Sequence, residues 1–354
     1  MDSFYANINW VILCPPGSPA AKRACEDLAS AIKLMAGKDE APSVINAEEA
    51  GLPDTVPVII LNNESGSPEG RRFSWRAGKE RVEIFGQSEG GLCRGIYDFI
   101  SALEVSWPAP ENTDEPVIKN ITAEKIYPLK YASNSKDFET PQNGGSIRPE
   151  ALWKRLVIPE NLRDLKLPKK RTAIFRWAVR NGFDAIVLPF HYLATAGEVS
   201  SLGLVPEAGG WTLSRLVPRK LFFMHRDFFR MEGGKRLGKT HFCPTNPETI
   251  AVLKTEGKKL FSSASAARIF HLWPDMGEEK TWCSCPTCRA FTLAEQNRIA
   301  VNAAADALAE VNAGAVLSYY EETDDEPGIP LRQNIIKINI SDVKIFPGSH
   351  KPNS

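Results

Sequence analysis

The chain has 354 residues, more than one hydrophobic core usually serves, so two domains are the default expectation. Hydrophobic residues make up 43% and charged residues 24%, both in the ordinary globular range. Lys plus Arg and Asp plus Glu each total 43, so the formal net charge is zero and there is no electrostatic footprint for nucleic acid.

At the N-terminus, Asn9 to Leu13 is a short apolar run stopped by Pro15, Pro16 and Gly17, and reads as a strand. Ser18 and Pro19 then supply an N-cap and a first helical position, and Ala24, Leu28, Ala31, Ile32 and Met35 line one face of a helix that Gly37 ends. Val56 to Leu61 is a second buried strand, Phe73 to Trp75 and Arg81 to Phe85 pair around a turn at Gly78, and Gly91 to Leu103 is a further helix. In GQSEGG, Gly86, Gly90 and Gly91 read as turn residues, because the run fits neither a phosphate loop nor a dinucleotide loop. Pro108, Pro110 and Pro116 mark a domain boundary.

Beyond that break, strands and helices alternate, as a parallel sheet with crossover connections requires. Tyr127 to Tyr131 reads as the first strand. A helix follows from Arg171 to Asn181, preceded by a solvated basic run of Lys166, Lys169 and Lys170. DAIVLPF from Asp184 is a buried strand, Thr245 caps a helix starting near Pro247, and ARIFHLW ends at Trp273. Thr292 to Val311 is an Ala-rich helix, followed by a strand from Ala315 to Tyr320. The expectation is an α/β protein: a small N-terminal α/β domain over 1–120, an incomplete (β/α) barrel region of about five strands over 125–340, and an irregular tail over 341–354. A closed barrel has eight strands, so the chain reads as truncated.

No run is long and apolar enough to span a bilayer. The start of the chain lacks a basic n-region and does not resemble a signal peptide, which reads literally as a cytoplasmic location. Of seven cysteines, Cys14, Cys25 and Cys93 fall in or beside apolar segments and read as buried thiols, and the odd total argues against a disulfide scaffold. Cys283, Cys285 and Cys288 are different: three thiols in six residues ask for a fourth ligand to close a tetrahedral zinc site. Cys243 is the expected fourth, with His241 in reserve. The alternative reading is a surface loop of reduced cysteines.

GQSEGGLCRGIYDFISALEVSWPAP, from Gly86 to Pro110, resembles the small α/β domain that precedes the catalytic barrel in β-hexosaminidases and α-glucuronidases. Three later segments resemble the barrel of glycoside hydrolase family 163 and its relatives: HRDFFRMEGGKR from His225, HFCPTNPE from His241, and WPDMGEEKTWCSCPTCRA from Trp273. The chain departs from the family pattern with Trp211 after the Gly pair, where His is usual, and with Arg226 in place of Pro. The resemblance implies an endo-acting β-N-acetylglucosaminidase of glycans, with no cofactor for chemistry, and intact relatives that are exported.

Glycoside hydrolysis commonly uses two carboxylates, and barrel chemistry sits at the carboxyl ends of strands. Asp275 follows one predicted strand and Glu321 and Glu322 follow the next, so these three are the candidate catalytic residues. Solvated acidic loops are the alternative. Tyr192, Trp211, Trp273 and Tyr320 are candidates for stacking on sugar rings, His191 for a substrate hydroxyl or proton, and Asn246 for an amide or hydroxyl; packing and turn roles explain the last two as well. The carbohydrate is the only expected partner. The competing readings are a noncatalytic carbohydrate-binding remnant and a zinc-stabilised interaction domain, and little turnover is expected from this chain alone.

Overall fold

A computed structural model describes residues 3–6, 9–49, 56–63, 73–78, 80–107, 117–118, 126–128, 153–160, 162–239, 241–265, 267–274, 282–320 and 327–346. The N-terminal part begins with β1 (Ser3–Tyr5) and β2 (Val11–Cys14), then α1 (Pro19–Ala36). Ser18 caps α1 by accepting from the Ala21 amide, and Gly37 closes it in the left-handed region at φ 61°, as the Ser-Pro start and Gly stop imply. Strands β3 (Ser43–Asn46), β4 (Val58–Asn63), β5 (Phe73–Ala77) and β6 (Arg81–Gly86) follow, then α2 (Glu89–Ala102). They form a five-stranded sheet of order β3-β2-β4-β6-β5, parallel except for β5. Leu28 and Ile32 of α1 and Phe99 and Ile100 of α2 are fully buried against it, each contributing about 1.5–3 kcal/mol by leaving water.

The short strands β7 (Val105–Ser106) and β8 (Val117–Ile118) pair with each other, and β9 (Ile126–Pro128) pairs antiparallel with β1. The second part is built from β10 (Arg155–Val157), α3 (Pro168–Arg180), β11 (Ala185–Leu188), α4 (Ala196–Ser200) and β12 (Val205–Gly210). A ribbon of β13 (Met231–Glu232) and β14 (Lys235–Arg236) lies in the long excursion before α5 (Pro247–Ser263). Then come β15 (Ile269–Leu272), α6 (Leu293–Val311), β16 (Val316–Tyr319), β17 (Ile335–Lys337) and β18 (Val343–Ile345). Seven of these strands form one all-parallel sheet of order β17-β16-β15-β12-β11-β10-β18. The protein is thus an α/β chain in which a small sheet-and-helix part precedes a curled parallel sheet resembling a partial barrel. The outermost strands, β17 and β18, are consecutive in sequence, so residues 338–342 link the two ends of the sheet.

The period of two in each strand separates two cores. Leu156, Ile186, Phe270 and Leu317 face outward into the main core shared with the helices. Val157, Val187, Ile269, Val316 and Ile336 face inward and form a second cluster inside the curl. The main core continues into the N-terminal part, and a polar clamp joins the two. Arg180 of α3 donates to both carboxylate oxygens of Asp27 on α1 at 2.8 and 2.7 Å, and the Tyr97 hydroxyl of α2 donates to the same carboxylate at 2.8 Å.

Several expectations need correction. The parallel sheet has seven strands among the described residues, not about five. Strand β12 was not legible because VPEAGG is rich in residues that strands avoid, and β10, β17 and β18 are only three residues each. Of the first strand expected over Tyr127 to Tyr131, Tyr127 and Pro128 belong to β9 and pair with β1 instead of the barrel sheet, and 129–131 lie outside the described residues. The tail expected to be irregular from 341 contributes β18, which binds the other face-edge of β10. The cap of α5 is Asn246 rather than Thr245: its side-chain oxygen accepts from the Glu248 and Thr249 amides at 2.9 and 3.2 Å. Gly90 and Gly91, read as turn residues, belong to the first turn of α2, which Ser88 caps.

Candidate functional site

Inside the curl, at the level of the strand centres, lies a row of polar side chains with no solvent exposure. Arg155 of β10 reaches past Ala185 of β11 to Glu207 of β12, donating at 2.8 Å from Nε and 3.2 Å from an Nη. His271 of β15 bonds the same carboxylate through Nε2 at 2.7 Å and the Ser318 hydroxyl of β16 through Nδ1 at 2.6 Å. The Trp273 indole N–H donates to Ser318 Oγ at 2.8 Å. All four of Arg155, Glu207, His271 and Ser318 are 0% exposed.

The chemistry fixes the direction of each bond. The ionised Glu207 only accepts, so the neutral His271 ring carries its hydrogen on Nε2, its Nδ1 accepts the Ser318 proton, and Ser318 Oγ accepts from Trp273. Burial, the largest influence on Glu207, would raise its pKa, but the Arg155 guanidinium and the His271 ring outweigh it and hold the carboxyl below its usual value. Burial pushes the His271 pKa down against the pull of Glu207, which keeps the imidazole neutral. Sequence reasoning missed this row entirely. Its only signal was a single polar residue at an inward position in an otherwise apolar strand, as in the IFHL of β15.

The carboxyl ends of β12, β15 and β16 carry an aromatic group. Trp211 meets Trp273 edge-on with ring centroids 4.8 Å apart, and Trp273 meets Tyr320 at 5.9 Å. Trp273 is 1% exposed and Tyr320 8%, whereas Trp211 is half-buried. The structure therefore brings three of the six candidate sugar-binding residues together. His191 and Tyr192 follow the end of β11, with rings 4.4 Å apart, His191 exposed and Tyr192 half-buried. Asn246 is engaged elsewhere, capping α5 and donating to Asp227 at 2.8 Å. Asp275, Glu321 and Glu322 lie outside the described residues.

The backbone at this mouth is tightly fixed. Trp273 donates from its amide to the Gly210 carbonyl at 2.9 Å and accepts from the Leu213 amide at 3.1 Å. Gly209 has φ +115°, and a Cβ there would stand 2.0 Å from the His271 carbonyl oxygen, so only glycine lets β12 approach β15 this closely.

A second centre joins the excursion after β12 to the one after β15. The thiols of Cys243, Cys283, Cys285 and Cys288 are all buried, and their sulfur atoms lie within 4.8 Å of one another. Cys243 Sγ is 3.7 Å from Cys285 Sγ and 3.6 Å from Cys288 Sγ. Four sulfurs about 2.3 Å from a central zinc ion stand about 3.8 Å apart along the edges of the tetrahedron, which the two closest contacts of Cys243 match. The surrounding groups suit a thiolate site. Amide Met231 donates to Cys283 Sγ at 3.3 Å, Arg236 approaches it at 3.7 Å, and Gln296 of α6 receives the Cys283 amide at 3.0 Å while donating to the Cys288 carbonyl at 3.2 Å. Without metal, hydrogen bonds from Cys283 and Cys288 draw the Cys243 pKa down, and the reciprocal contact with Cys243 pushes Cys283 up to about 11. The four cysteines form a structural metal site suited to zinc. The reserve ligand His241 is instead stacked on Trp282 at 4.5 Å.

No protein-family model matches the sequence, and no curated protein matches it. The likeness is to solved glycoside hydrolases, and it is distant. The chitobiase of Flavobacterium johnsoniae, of family 20, is 13% identical over 95% of this chain and 52% of its own, with a TM-score of 0.49. A β-N-acetylhexosaminidase of Bacteroides fragilis is 11% identical over 93% of this chain and 65% of its own, with a TM-score of 0.46. A family 115 4-O-methyl-α-glucuronidase is 11% identical over 95% of this chain and 44% of its own, with a TM-score of 0.47. The chain thus spans less than two thirds of each of these proteins. Among the described residues, no helix is long and apolar enough to cross a membrane.

Proposed function

We propose that this chain is a carbohydrate-active protein of the glycoside hydrolase type, acting on glycans that contain N-acetylglucosamine. The observation that carries the reading is the aromatic group of Trp211, Trp273 and Tyr320 at the carboxyl ends of three adjacent parallel strands. Sugar rings present C–H faces edged by hydroxyls, and aromatic rings bind such faces. The mouth of a curled parallel sheet is also where barrel enzymes place their chemistry. The sequence resemblance to family 163 supports an endo-β-N-acetylglucosaminidase as the specific form.

Asp275 follows Trp273 by two positions and Glu321 follows Tyr320 directly. In this reading one of Asp275, Glu321 and Glu322 donates a proton to the glycosidic oxygen, which leaves poorly without it. A second orients the substrate's acetamido group as the nucleophile or attacks the sugar carbon itself. The zinc centre does no chemistry here; it ties together the two excursions that leave β12 and β15.

One observation favours a second reading, a protein that binds glycans without cleaving them. Among the described residues β17 and β18 each have one strand neighbour, and a sheet open on one side preorganises a cleft poorly. An assay against complex N-glycans, with Asp275→Asn and Glu322→Gln as controls, separates the two. Turnover abolished by either substitution supports the hydrolase. Turnover that neither substitution alters refutes these catalytic residues, and saturable binding without turnover supports the second reading.

A further inference from the structure

We propose that Trp211 is the ring that meets the sugar and that Trp273 is its fixed backing, held by the buried row Arg155–Glu207–His271–Ser318. This rests on the carbohydrate reading above and divides the roles within it. Trp273 cannot itself present a face, being 1% exposed, whereas Trp211 is half-buried at the mouth. The two rings meet edge-on, 65° apart in plane, so the Trp273 orientation limits how Trp211 can tilt.

Trp273 is pinned at three points: amide to Gly210, carbonyl to Leu213, and indole N–H to Ser318 at 2.8 Å. The third point is itself determined by the row behind it. The Ser318 proton goes to His271 Nδ1, which aims a lone pair of the hydroxyl at the indole, and His271 can accept that proton only as the Nε2–H tautomer that Glu207 selects. Arg155 keeps Glu207 ionised and aimed. A serine, a histidine and a carboxylate in contact superficially offer a nucleophile, but Ser318 is 0% exposed and its oxygen already accepts from Trp273. These are positioning residues. A ring fixed before the ligand arrives loses little freedom on binding, so rigidity here converts into affinity.

The test uses the full chain with nitrogen-15 tryptophan, its Trp273 indole signal assigned by loss in Trp273→Phe, and N,N′-diacetylchitobiose as the probe. Ser318→Ala should move the Trp273 signal, speed its hydrogen exchange and weaken chitobiose binding about threefold to tenfold, the net worth of one hydrogen bond. Ser318→Thr, which keeps the hydroxyl, should restore all three. Trp211→Ala should abolish binding while leaving the Trp273 signal in slow exchange. An unchanged Trp273 signal in Ser318→Ala, or no rescue by threonine, overturns the relay. Undiminished binding in Trp211→Ala overturns the assignment of the sugar-facing ring. Failure of the unmodified chain to bind the probe overturns that assignment and the carbohydrate reading together, while the Trp273 signal still decides the relay.

Discussion

Arg155 and Glu207 form a two-pronged ion pair at 2.8 and 3.2 Å, spanning from β10 to β12 with no solvent contact on either side chain. Removing one member of such a pair strands the other charge in a medium that cannot solvate it. Arg155→Met should therefore destabilise the chain by about 3–5 kcal/mol. The double variant Arg155→Met/Glu207→Leu should recover much of that loss, although it leaves His271 Nε2 without its acceptor. Urea denaturation of the single and double variants measures both effects. A single variant as stable as the parent would show that the pair is solvated in solution.

The same row predicts a stability that falls in mild acid. The His271 pKa is lowered in the folded chain, so the unfolded chain binds the proton first as pH drops. Stability then rises with pH between the lowered folded value and the ordinary histidine value of about 6.5. Glu207, also lowered, adds a further loss below the usual carboxylate range. The charged groups facing His271 are Glu207 of β12 and, behind it, Arg155 of β10; Ser318 of β16 is neutral. Thermal melts of the unmodified chain and His271→Gln from pH 7.5 to pH 5 should show a steeper loss in the unmodified chain. Parallel pH profiles would contradict the buried neutral imidazole.

What was legible in the sequence followed the range of the interaction. Ser18, Pro19 and Gly37 bound α1 through contacts a few residues away, and their pattern announced the helix. The metal site was legible because three of its ligands fall within six residues, leaving only Cys243 to be placed. The buried row had no such local signature. Arg155 and Glu207 are 52 positions apart and Glu207 and His271 are 64 apart, so each looks like a lone polar residue until the sheet curls. Strand β12, which supplies Glu207 and the Gly209 approach, is composed against strand propensity and formed by its neighbours. Of the candidate site, Trp273 and Tyr320 were found from their places at predicted strand ends and Trp211 from its aromatic ring alone, whereas the cap role of Asn246 depends on backbone geometry that residue type alone does not fix.

Metal removal should loosen the mouth of the sheet. Protein prepared without chelator should carry close to one zinc ion per chain, and Cys285→Ser should lower that occupancy sharply. Because the ligands come from both excursions, zinc binding free energy is partly folding free energy. Chelation should lower the melting temperature and expose residues 231–246 and 282–290 to hydrogen exchange, with α1 and α2 unaffected. No zinc by elemental analysis, with all four thiols freely titratable in the native chain, would exclude the site.

The clamp between the two parts is the remaining point of strain under mutation. Asp27 receives three charge-assisted or hydroxyl hydrogen bonds, two from Arg180 and one from Tyr97, and both ionic side chains are less than a fifth exposed. Arg180 also lies over the Trp107 ring at 5.2 Å, so its position ties α1, α2 and the end of the first part to α3. Asp27→Asn keeps the shape and removes the charge, and should cost about 1.5–3 kcal/mol, the range for a hydrogen bond to a charged group. Tyr97→Phe removes one neutral donor and should cost about 1 kcal/mol. If the clamp is what docks the parts, Asp27→Asn should speed hydrogen exchange along α1 and α3 more than Tyr97→Phe does. Equal exchange in the two variants at matched stability would show that the shared apolar core alone holds the parts together, and that the ion pair only decorates their boundary.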